Sequence, residues 1–163
     1  MQKRIARGFS VLLVLTVLVS CLALGASAAW YKDSTGWYFL DSAGQRLTST
    51  WQKDSKGWCY IGDDGYMVTN DWVQDSKGWC WLTASGAMAT SCWIKDSKGW
   101  CYIEADGYCA TNCFRKDSVG WVWLDKEGSM VYSKWILNSG KWYYISAKGY
   151  RLENTTWNGY KFN

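Results

Sequence analysis

The sequence predicts an all-β fold, a β-solenoid of stacked β-hairpins with about 21 residues in each unit. Three observations predict it. The hexapeptide DSKGWC occurs at 54–59, 75–80 and 96–101, always 21 residues apart. An aromatic residue begins every unit at the same step, and a tryptophan follows seven residues later. A glycine series has the same period and runs from Gly44 to Gly149.

The repeat accounts for residues 30–156 as six units, and 157–163 resembles a truncated seventh. The residues that begin the six units are Trp30, Trp51, Trp72, Trp93, Phe114 and Trp135. The tryptophans that follow them are Trp37, Trp58, Trp79, Trp100, Trp121 and Trp142.

Residues 1–28 differ from the repeats and predict a secretory signal peptide. They combine three basic residues at the start, an apolar run over 11–19 and the small-residue sequence Ala-Ser-Ala at 26–28. Cleavage after Ala28 would leave 29–163 as a secreted repeat domain. Two alternatives stay open. The sequence LVSC resembles a lipobox, which would attach a lipid at Cys21 and bring the protein to a membrane, and the segment could remain as an uncleaved anchor.

Turn sequences and short β-rich stretches predict one hairpin in each unit. In the second unit, the stretch WCYI stands between the turn sequences DSKG and GDDG, and YMVT follows as the return strand. Alternation along the strand places Trp58 and Tyr60 on one face. A register in which Ile61 opposes Tyr66 would place Met67 on that face too.

A lone hairpin is only marginally stable in water, because it cannot bury its aromatic face by itself. Stacked neighbours can bury that face, which is how solenoids are stabilised. Each large aromatic side chain can bury roughly 150–250 Å². We therefore expect the aromatic residues to supply most of the core.

Charge and composition argue against several classes of function. The chain has 18 basic and 14 acidic residues, and three of the basic ones lie in 1–28, so 15 basic and 14 acidic residues remain, a net charge of about +1. The basic residues are dispersed among acidic ones, so we expect no nucleic-acid binding. The chain has no histidine, which removes the usual Ser–His and Cys–His catalytic pairs. The two aspartates of GDDG are explained by turn chemistry. We expect a protein that is not an enzyme and uses no cofactor.

The unit resembles the choline-binding, or cell-wall-binding, repeat of Gram-positive bacteria and their phages. The resemblance rests on W-x-x-D-S-x-G-W-x-Y followed by a turn and G-x-M, with the best match in SGKWYY at 139–144. It implies a superhelical β-solenoid of hairpins with choline sites between consecutive repeats. The implied partner is choline on teichoic or lipoteichoic acid, with a separate effector protein as a further partner. Glucan-binding repeats and the C-terminal repeats of clostridial toxins are similar, which leaves a glycan as the alternative ligand.

The resemblance places three ligand sites on this sequence. A quaternary ammonium group has no hydrogen to donate, but each aromatic face attracts it by ~0.5–2 kcal/mol. The implied sites are Trp58, Tyr60 and Met67 with Trp72 and Trp79; Trp79, Trp81 and Met88 with Trp93 and Trp100; and Trp121, Trp123 and Met130 with Trp135 and Trp142. The interfaces expected to be weak or structural contain Phe39 and Leu47, Cys109 and Phe114, and Leu152.

A second class of function also stays open, a disulfide-stapled structural surface rod in which the tryptophans are core and bind no small ligand. A repeated tryptophan ladder needs no ligand to exist. Free choline would change neither the fluorescence nor the melting temperature of such a rod, whereas a specific ligand stabilises the protein that binds it.

Six cysteines remain if Cys21 is cleaved away or lipidated, and in an exported chain they predict disulfide bonds. Cys92 and Cys113 are a candidate pair, because they hold equal positions in neighbouring repeats. The alternative is that some are small buried apolar residues. Metal binding is disfavoured, since the chain lacks histidine and a tight C-x₂-C pair. We expect no metal site.

Overall fold

The computed structural model describes residues 27–162, and every regular element in this range is a β-strand. Fourteen strands pair as seven antiparallel hairpins. The strands are β1 (Ala29–Lys32), β2 (Trp37–Leu40), β3 (Thr50–Asp54), β4 (Gly57–Ile61), β5 (Asp71–Gln74), β6 (Trp79–Leu82), β7 (Cys92–Lys95), β8 (Trp100–Ile103), β9 (Cys113–Lys116), β10 (Trp121–Leu124), β11 (Lys134–Asn138), β12 (Lys141–Ile145), β13 (Thr155–Trp157) and β14 (Tyr160–Phe162).

The hairpins begin at 29, 50, 71, 92, 113, 134 and 155, so the 21-residue period of the sequence is also the period of the structure. The predicted solenoid of stacked hairpins is confirmed. The seventh hairpin is formed by β13 and β14. In the described part of the chain, no helix is long and apolar enough to cross a membrane. The signal segment up to residue 26, with Cys21, lies outside the described residues.

A side-chain cap closes the tight turn of each of the first five hairpins. In the second, the Asp54 Oδ1 atom accepts hydrogen bonds from the backbone N–H groups of Lys56 at 2.7 Å and Gly57 at 3.1 Å. Aspartates 21 residues apart make the same turn in the other four. The sixth hairpin turns at Ser139 and Gly140, whose φ angles of 51° and 76° fit a two-residue hairpin loop.

The strand pairing differs from the predicted pairing. β4 pairs with β3, which precedes it, so Trp51 lies opposite Tyr60 and the DSKG sequence is the hairpin turn. The expected return strand forms only an isolated bridge, in which Met67 lies opposite Ile61 and not opposite Tyr60. The register prediction was therefore wrong by one residue, because the backbone of this segment bonds to the preceding repeat as well as to its own.

That shared segment joins successive hairpins into the solenoid. The Met67 N–H donates to the carbonyl oxygen of Trp37 in the preceding repeat at 2.7 Å, while the Val68 N–H donates to Tyr60 in its own repeat at 2.9 Å. The first of these bonds recurs down the chain, always between residues 30 positions apart. Its pairs are Met67 to Trp37, Met88 to Trp58, Cys109 to Trp79, Met130 to Trp100 and Arg151 to Trp121.

The core is an aliphatic ladder, and the expectation of an aromatic core was wrong. The last residue of the second strand is completely buried in each of the second to sixth repeats. These residues are Ile61, Leu82, Ile103, Leu124 and Ile145. Trp123 is the one tryptophan in the buried core of the described residues. The predicted alternation is confirmed, but the face that turns inward is the one opposite Trp58 and Tyr60.

The six cysteines within 27–162 are free thiols, which corrects the prediction of disulfide bonds. Cys59 and Cys80 are buried in the ladder on the inward face, so each acts as a small apolar side chain in its own repeat. Burial is the main cause that raises the pKa of Cys59 to about 11 and that of Cys80 to about 12. Both thiols are therefore protonated at neutral pH.

Candidate functional site

A row of half-exposed tryptophans runs along the outside of the solenoid. Trp58, Trp79 and Trp100 are 46%, 43% and 39% exposed, and each begins or nearly begins the second strand of its hairpin. Strand alternation turns these rings outward, because the next residue of each strand points into the core. Large aromatic rings that stay exposed at a fixed spacing are candidates for binding.

A large cavity lies between the third and fourth repeats, and we call it the Trp79 cavity. It has a volume of about 1000 Å³ and is lined by four tryptophans, namely Trp72, Trp79, Trp81 and Trp100. The rings of Trp72 and Trp81 meet edge to face, with centroids 5.3 Å apart and planes at 69°. Two successive repeats therefore supply aromatic faces to one space.

A carboxylate fixes one wall of the Trp79 cavity. The Trp72 Nε1–H donates to the Oδ2 atom of Asp96 at 3.0 Å. The Oδ1 atom of Asp96 accepts from the backbone N–H groups of Lys98 at 2.8 Å and Gly99 at 3.1 Å. The turn of the fourth hairpin thus holds the Trp72 ring in place, which prepares the aromatic wall before any ligand arrives.

A second cavity, which we call the Trp58 cavity, lies one repeat earlier and has a volume of about 350 Å³. Trp51, Trp58, Met88 and Tyr108 line it together with Asp75. Met88 reaches this space because its backbone N–H donates to the carbonyl oxygen of Trp58.

Two small side chains explain why the Trp79 cavity is the larger one. Cys109 stands where the Trp58 cavity has Met88, and Ser129 stands where it has Tyr108. Both pairs are 21 residues apart, so the backbone positions are equivalent. Replacing a thioether and a phenol by a thiol and a hydroxyl opens the space.

Lysine side chains lie over four of the outer tryptophans. The Nζ atoms of Lys53 and Lys95 are 5.7 and 5.6 Å from the ring centroids of Trp58 and Trp100, their partners across the hairpin. Trp37 and Trp121 have the same arrangement. Trp79 instead faces Gln74 across its hairpin. The ring of Trp79 therefore has a neutral partner across its hairpin, and Lys77, Lys98 and Lys126 are the lysines that line the cavity itself.

The structure groups the sequence-predicted site residues differently from the prediction. Trp72, Trp79, Trp81 and Trp100 come together, as do Trp58 and Met88. Met67 is not beside Trp58, since its backbone bonds to Trp37. The cause is the 30-residue offset, which pairs a tryptophan with the methionine of the following repeat. Sequence reasoning also missed Trp51 and Asp96, which the aromatic and aspartate periods could have indicated.

The remaining predicted residues lie away from both cavities. Tyr60 packs against Trp51, and Trp93 against Tyr102, in each case with centroids 5.1 Å apart. Met130 packs on the core, and Trp123 is buried in it. Trp121 contacts Arg151, and Trp135 packs against Tyr144. Trp142 is 62% exposed.

The residues equivalent to Met67 in the first and sixth repeats are Arg46 and Arg151, as the bridges of the two segments show. The sequence analysis had placed Leu47 and Leu152 there. Both arginines lie over aromatic rings, Arg46 over Tyr38 and Tyr66.

Tyrosine–aspartate hydrogen bonds tie every second interface. The hydroxyl of Tyr108 donates to the Oδ2 atom of Asp75 at 2.9 Å, and Tyr66 and Tyr150 make the same bond 42 residues away on either side. Burial raises the pKa of Asp75, but the hydrogen bonds from Lys77, Tyr108 and Gly78 outweigh it and lower the pKa overall. Burial, together with the bond to Asp75, raises the pKa of Tyr108 to about 12.

Two thiols line the Trp79 cavity side by side. Hydrogen bonding between Cys101 and Cys109 raises the pKa of Cys101 and lowers that of Cys109. Burial raises the pKa of both, but at Cys109 the hydrogen bond is the larger effect. Cys109 is half-buried whereas Cys101 is buried, so Cys109 is the more accessible thiol and offers a chemical handle inside the cavity.

The sequence matches a family model of the cell wall binding repeat, of the choline-binding type, at residues 29–45, 49–67 and 133–151. The resemblance to the choline-binding repeat that the sequence analysis identified is confirmed for these residues. The match covers the first two repeats and the sixth, and the hairpins between them follow the same 21-residue spacing.

Solved structures of choline-binding proteins are similar to this chain over most of its length. Choline binding protein F from Streptococcus pneumoniae is 33% identical with a TM-score of 0.61, covering 84% of this chain and 46% of its own. CbpJ from Streptococcus pneumoniae TIGR4 is 33% identical with a TM-score of 0.63 and the same coverages. The pneumococcal endolysin of phage Cp-1, solved with choline, is 29% identical with a TM-score of 0.54, covering 80% of this chain and 38% of its own.

The chain therefore spans less than half the length of these proteins. The comparison with curated protein sequences gave no match.

Proposed function

We propose that this chain is a non-catalytic cell-surface module that binds choline groups of the bacterial cell wall. One observation carries the proposal: four tryptophan rings from two successive repeats line the Trp79 cavity. Such rings attract a trimethylammonium group electrostatically and cover its methyl groups. A phage endolysin with similar repeats has been solved in complex with choline.

The Trp79 cavity is proposed as the main site and the Trp58 cavity as a second. At the first, Trp79 pairs with the neutral Gln74, and the Trp72 ring is held by Asp96. At the second, Met88 supplies a polarisable apolar wall beside Trp51 and Trp58. These groupings replace the sites first placed on the sequence.

The source of choline is proposed to be teichoic or lipoteichoic acid at the wall. The signal peptide predicted at 1–28 would export the chain to that compartment. Acting there, the repeats would hold a separate effector protein or regulate access to the wall. The small net charge of 29–163 suits a ligand recognised through aromatic faces more than through charge.

A tryptophan-fluorescence titration with choline tests the proposal, with tetramethylammonium and a soluble glucan as comparisons. We expect saturable changes with both ammonium compounds. Trp79→Ala removes one aromatic face, so its affinity should fall by about 2- to 30-fold, the equivalent of ~0.5–2 kcal/mol. Trp142→Ala is the matched control, because Trp142 is 62% exposed and lies outside both cavities. Flat titrations with both ammonium compounds would refute the proposal.

A glycan is the second candidate ligand, and the outer tryptophan row favours it. Trp37, Trp58, Trp79 and Trp100 present half-exposed rings at a constant 21-residue spacing, and flat rings of this kind can stack on sugars. Choline binding protein F has also been solved in the presence of a peptidoglycan analogue. A response to glucan without a response to choline would select this candidate.

A further inference from the structure

The fifth and sixth repeats contain an aromatic cage that already holds a cation of the protein itself. The Arg151 guanidinium carbon lies 5.2 Å from the ring centroid of Phe114, 5.4 Å from that of Trp121 and 5.2 Å from that of Tyr143. All three distances are within the ~6 Å at which a cation is attracted to an aromatic face. We call these three rings the Phe114 cage.

The three rings form walls at steep angles to one another. Phe114 and Tyr143 have centroids 5.0 Å apart and planes at 71°. Phe114 and Trp121 have centroids 6.5 Å apart and planes at 84°. Phe114 and Trp121 come from the fifth hairpin and Tyr143 from the sixth, so the cage spans an interface between repeats.

The Phe114 cage holds the position that is equivalent to the Trp79 cavity, two repeats further along the chain. Adding 42 to Trp72, Trp79 and Cys109 gives Phe114, Trp121 and Arg151. The backbone agrees, since the Arg151 N–H donates to Trp121 at 2.7 Å as the Cys109 N–H donates to Trp79 at 2.8 Å. Where Cys109 leaves open space between the rings, Arg151 fills it.

The guanidinium is held from outside the cage as well. Arg151 forms an ion pair with Glu153, and its side chain is only 20% exposed. An arginine keeps its positive charge at every physiological pH. A quaternary ammonium would therefore meet both a filled cage and a like charge, and the two cations compete for the same ring faces.

We propose that Arg151 is a built-in cation that closes the Phe114 cage to external quaternary ammonium ligands. The residue that lies 30 positions after the outer tryptophan, as Arg151 lies after Trp121, then decides which interfaces bind a quaternary ammonium ligand. Cys109 leaves the third–fourth interface open, Met88 narrows the second–third interface, and Arg151 closes the fifth–sixth. The number of ligand sites is thus set by this one position. This inference rests on the proposed function, because it assumes that open cages bind an ammonium group.

Arg151→Met tests the proposal by calorimetric titration of the whole chain with tetramethylammonium. We expect the number of sites to rise by one relative to the unchanged chain. Arg115→Met is the matched control, since it removes the same charge from an ion pair with Glu104, and its number of sites should stay unchanged. A folded Arg151→Met protein with an unchanged number of sites would overturn the proposal and leave the proposed function standing.

A second measurement needs neither a ligand nor a variant that folds. Ring currents from three aromatic faces should shift the Arg151 Hδ and Hε proton resonances upfield in the NMR spectrum of the unchanged chain. Random-coil shifts for these protons would overturn the proposal. If the unchanged chain bound no ammonium compound, the proposed function would fail, and these shifts would still decide whether Arg151 occupies the cage.

Discussion

Truncating Ile103 should destabilise the protein far more than truncating an exposed residue of the same size. Ile103 ends β8 in the centre of the aliphatic ladder, where its side chain is completely buried. Ile103→Ala removes three carbon groups, worth ~2.4 kcal/mol of transfer free energy at ~0.8 kcal/mol each. The cavity left behind adds to this, so we expect a loss of about 3–4 kcal/mol in the free energy of unfolding.

Urea unfolding followed by far-UV circular dichroism measures this loss, and it reports the backbone independently of the tryptophans. Leu137→Ala is the control, because Leu137 is 55% exposed on β11, and its cost should stay below about 1 kcal/mol. Unfolding of stacked repeats can depart from two-state behaviour, so the m-values of the variants must agree before free energies are compared. Equal costs for the two substitutions would refute an aliphatic core, and a larger cost for Trp142→Ala would restore the aromatic one.

Three further predictions follow from the interfaces. Tyr108→Phe removes a hydrogen bond to Asp75, whose folded-state pKa lies below 3.8, so the variant should be less stable by ~1 kcal/mol at neutral pH. Stability contributed by a depressed carboxyl pKa is lost as pH falls through that pKa, so the difference in urea midpoint should shrink as the pH is lowered below 3.8, and a difference independent of pH would contradict this origin. A cationic trimethylammonium-ethyl methanethiosulfonate should modify Cys109 about 10-fold faster than the anionic sulfonatoethyl reagent, since aromatic faces attract the cation. Mass spectrometry measures the two rates, with Cys109→Ser as the control. Equal rates would count against cation attraction in the Trp79 cavity. Gly107→Ala should lower the melting temperature more than Gly44→Ala. Both glycines have positive φ, but only at Gly107 would the new methyl group meet a side chain, that of Met88, 2.2 Å away. Equal losses would show that Met88 moves aside freely.

The fold could be predicted from the sequence because each repeat carries the same local signals. Asp54 and Gly57 specify a tight turn, and the same pair recurs at 21-residue steps. Alternation then assigned Trp58 and Tyr60 to one face correctly. What failed was the choice of partner strand, because both flanking segments have turn sequences and similar composition. β4 pairs with β3 of its own hairpin, while the expected return strand shares its hydrogen bonds with the preceding repeat, through Met67 and Trp37. No local sequence pattern indicates this bond between repeats.

The core was misjudged for a related reason. Tryptophan has more apolar surface than isoleucine, so a count of surface favours an aromatic core. The inward face of a narrow hairpin stack, however, has room for side chains the size of Ile61 and Leu82, which are completely buried there. The larger rings remain on the outside, where neighbouring repeats leave gaps between them. Those gaps are the candidate sites, so the size mismatch that keeps every tryptophan of the described residues except Trp123 out of the buried core also creates the binding surface.

The candidate sites depend on an offset that the sequence period conceals. A 21-residue repeat suggests that a site combines residues of one repeat with their counterparts in the next. The backbone instead joins positions 30 residues apart, so the ring of Trp58 meets Met88 and the ring of Trp79 meets Cys109. Once this offset is known, the side chain 30 residues after the outer tryptophan, together with the one at the Ser129 or Tyr108 position, indicates whether the space beside the ring is narrow, open or filled. Identical hairpins can in this way carry interfaces with different binding properties, because the turn and ladder residues that build the solenoid leave these positions free to vary.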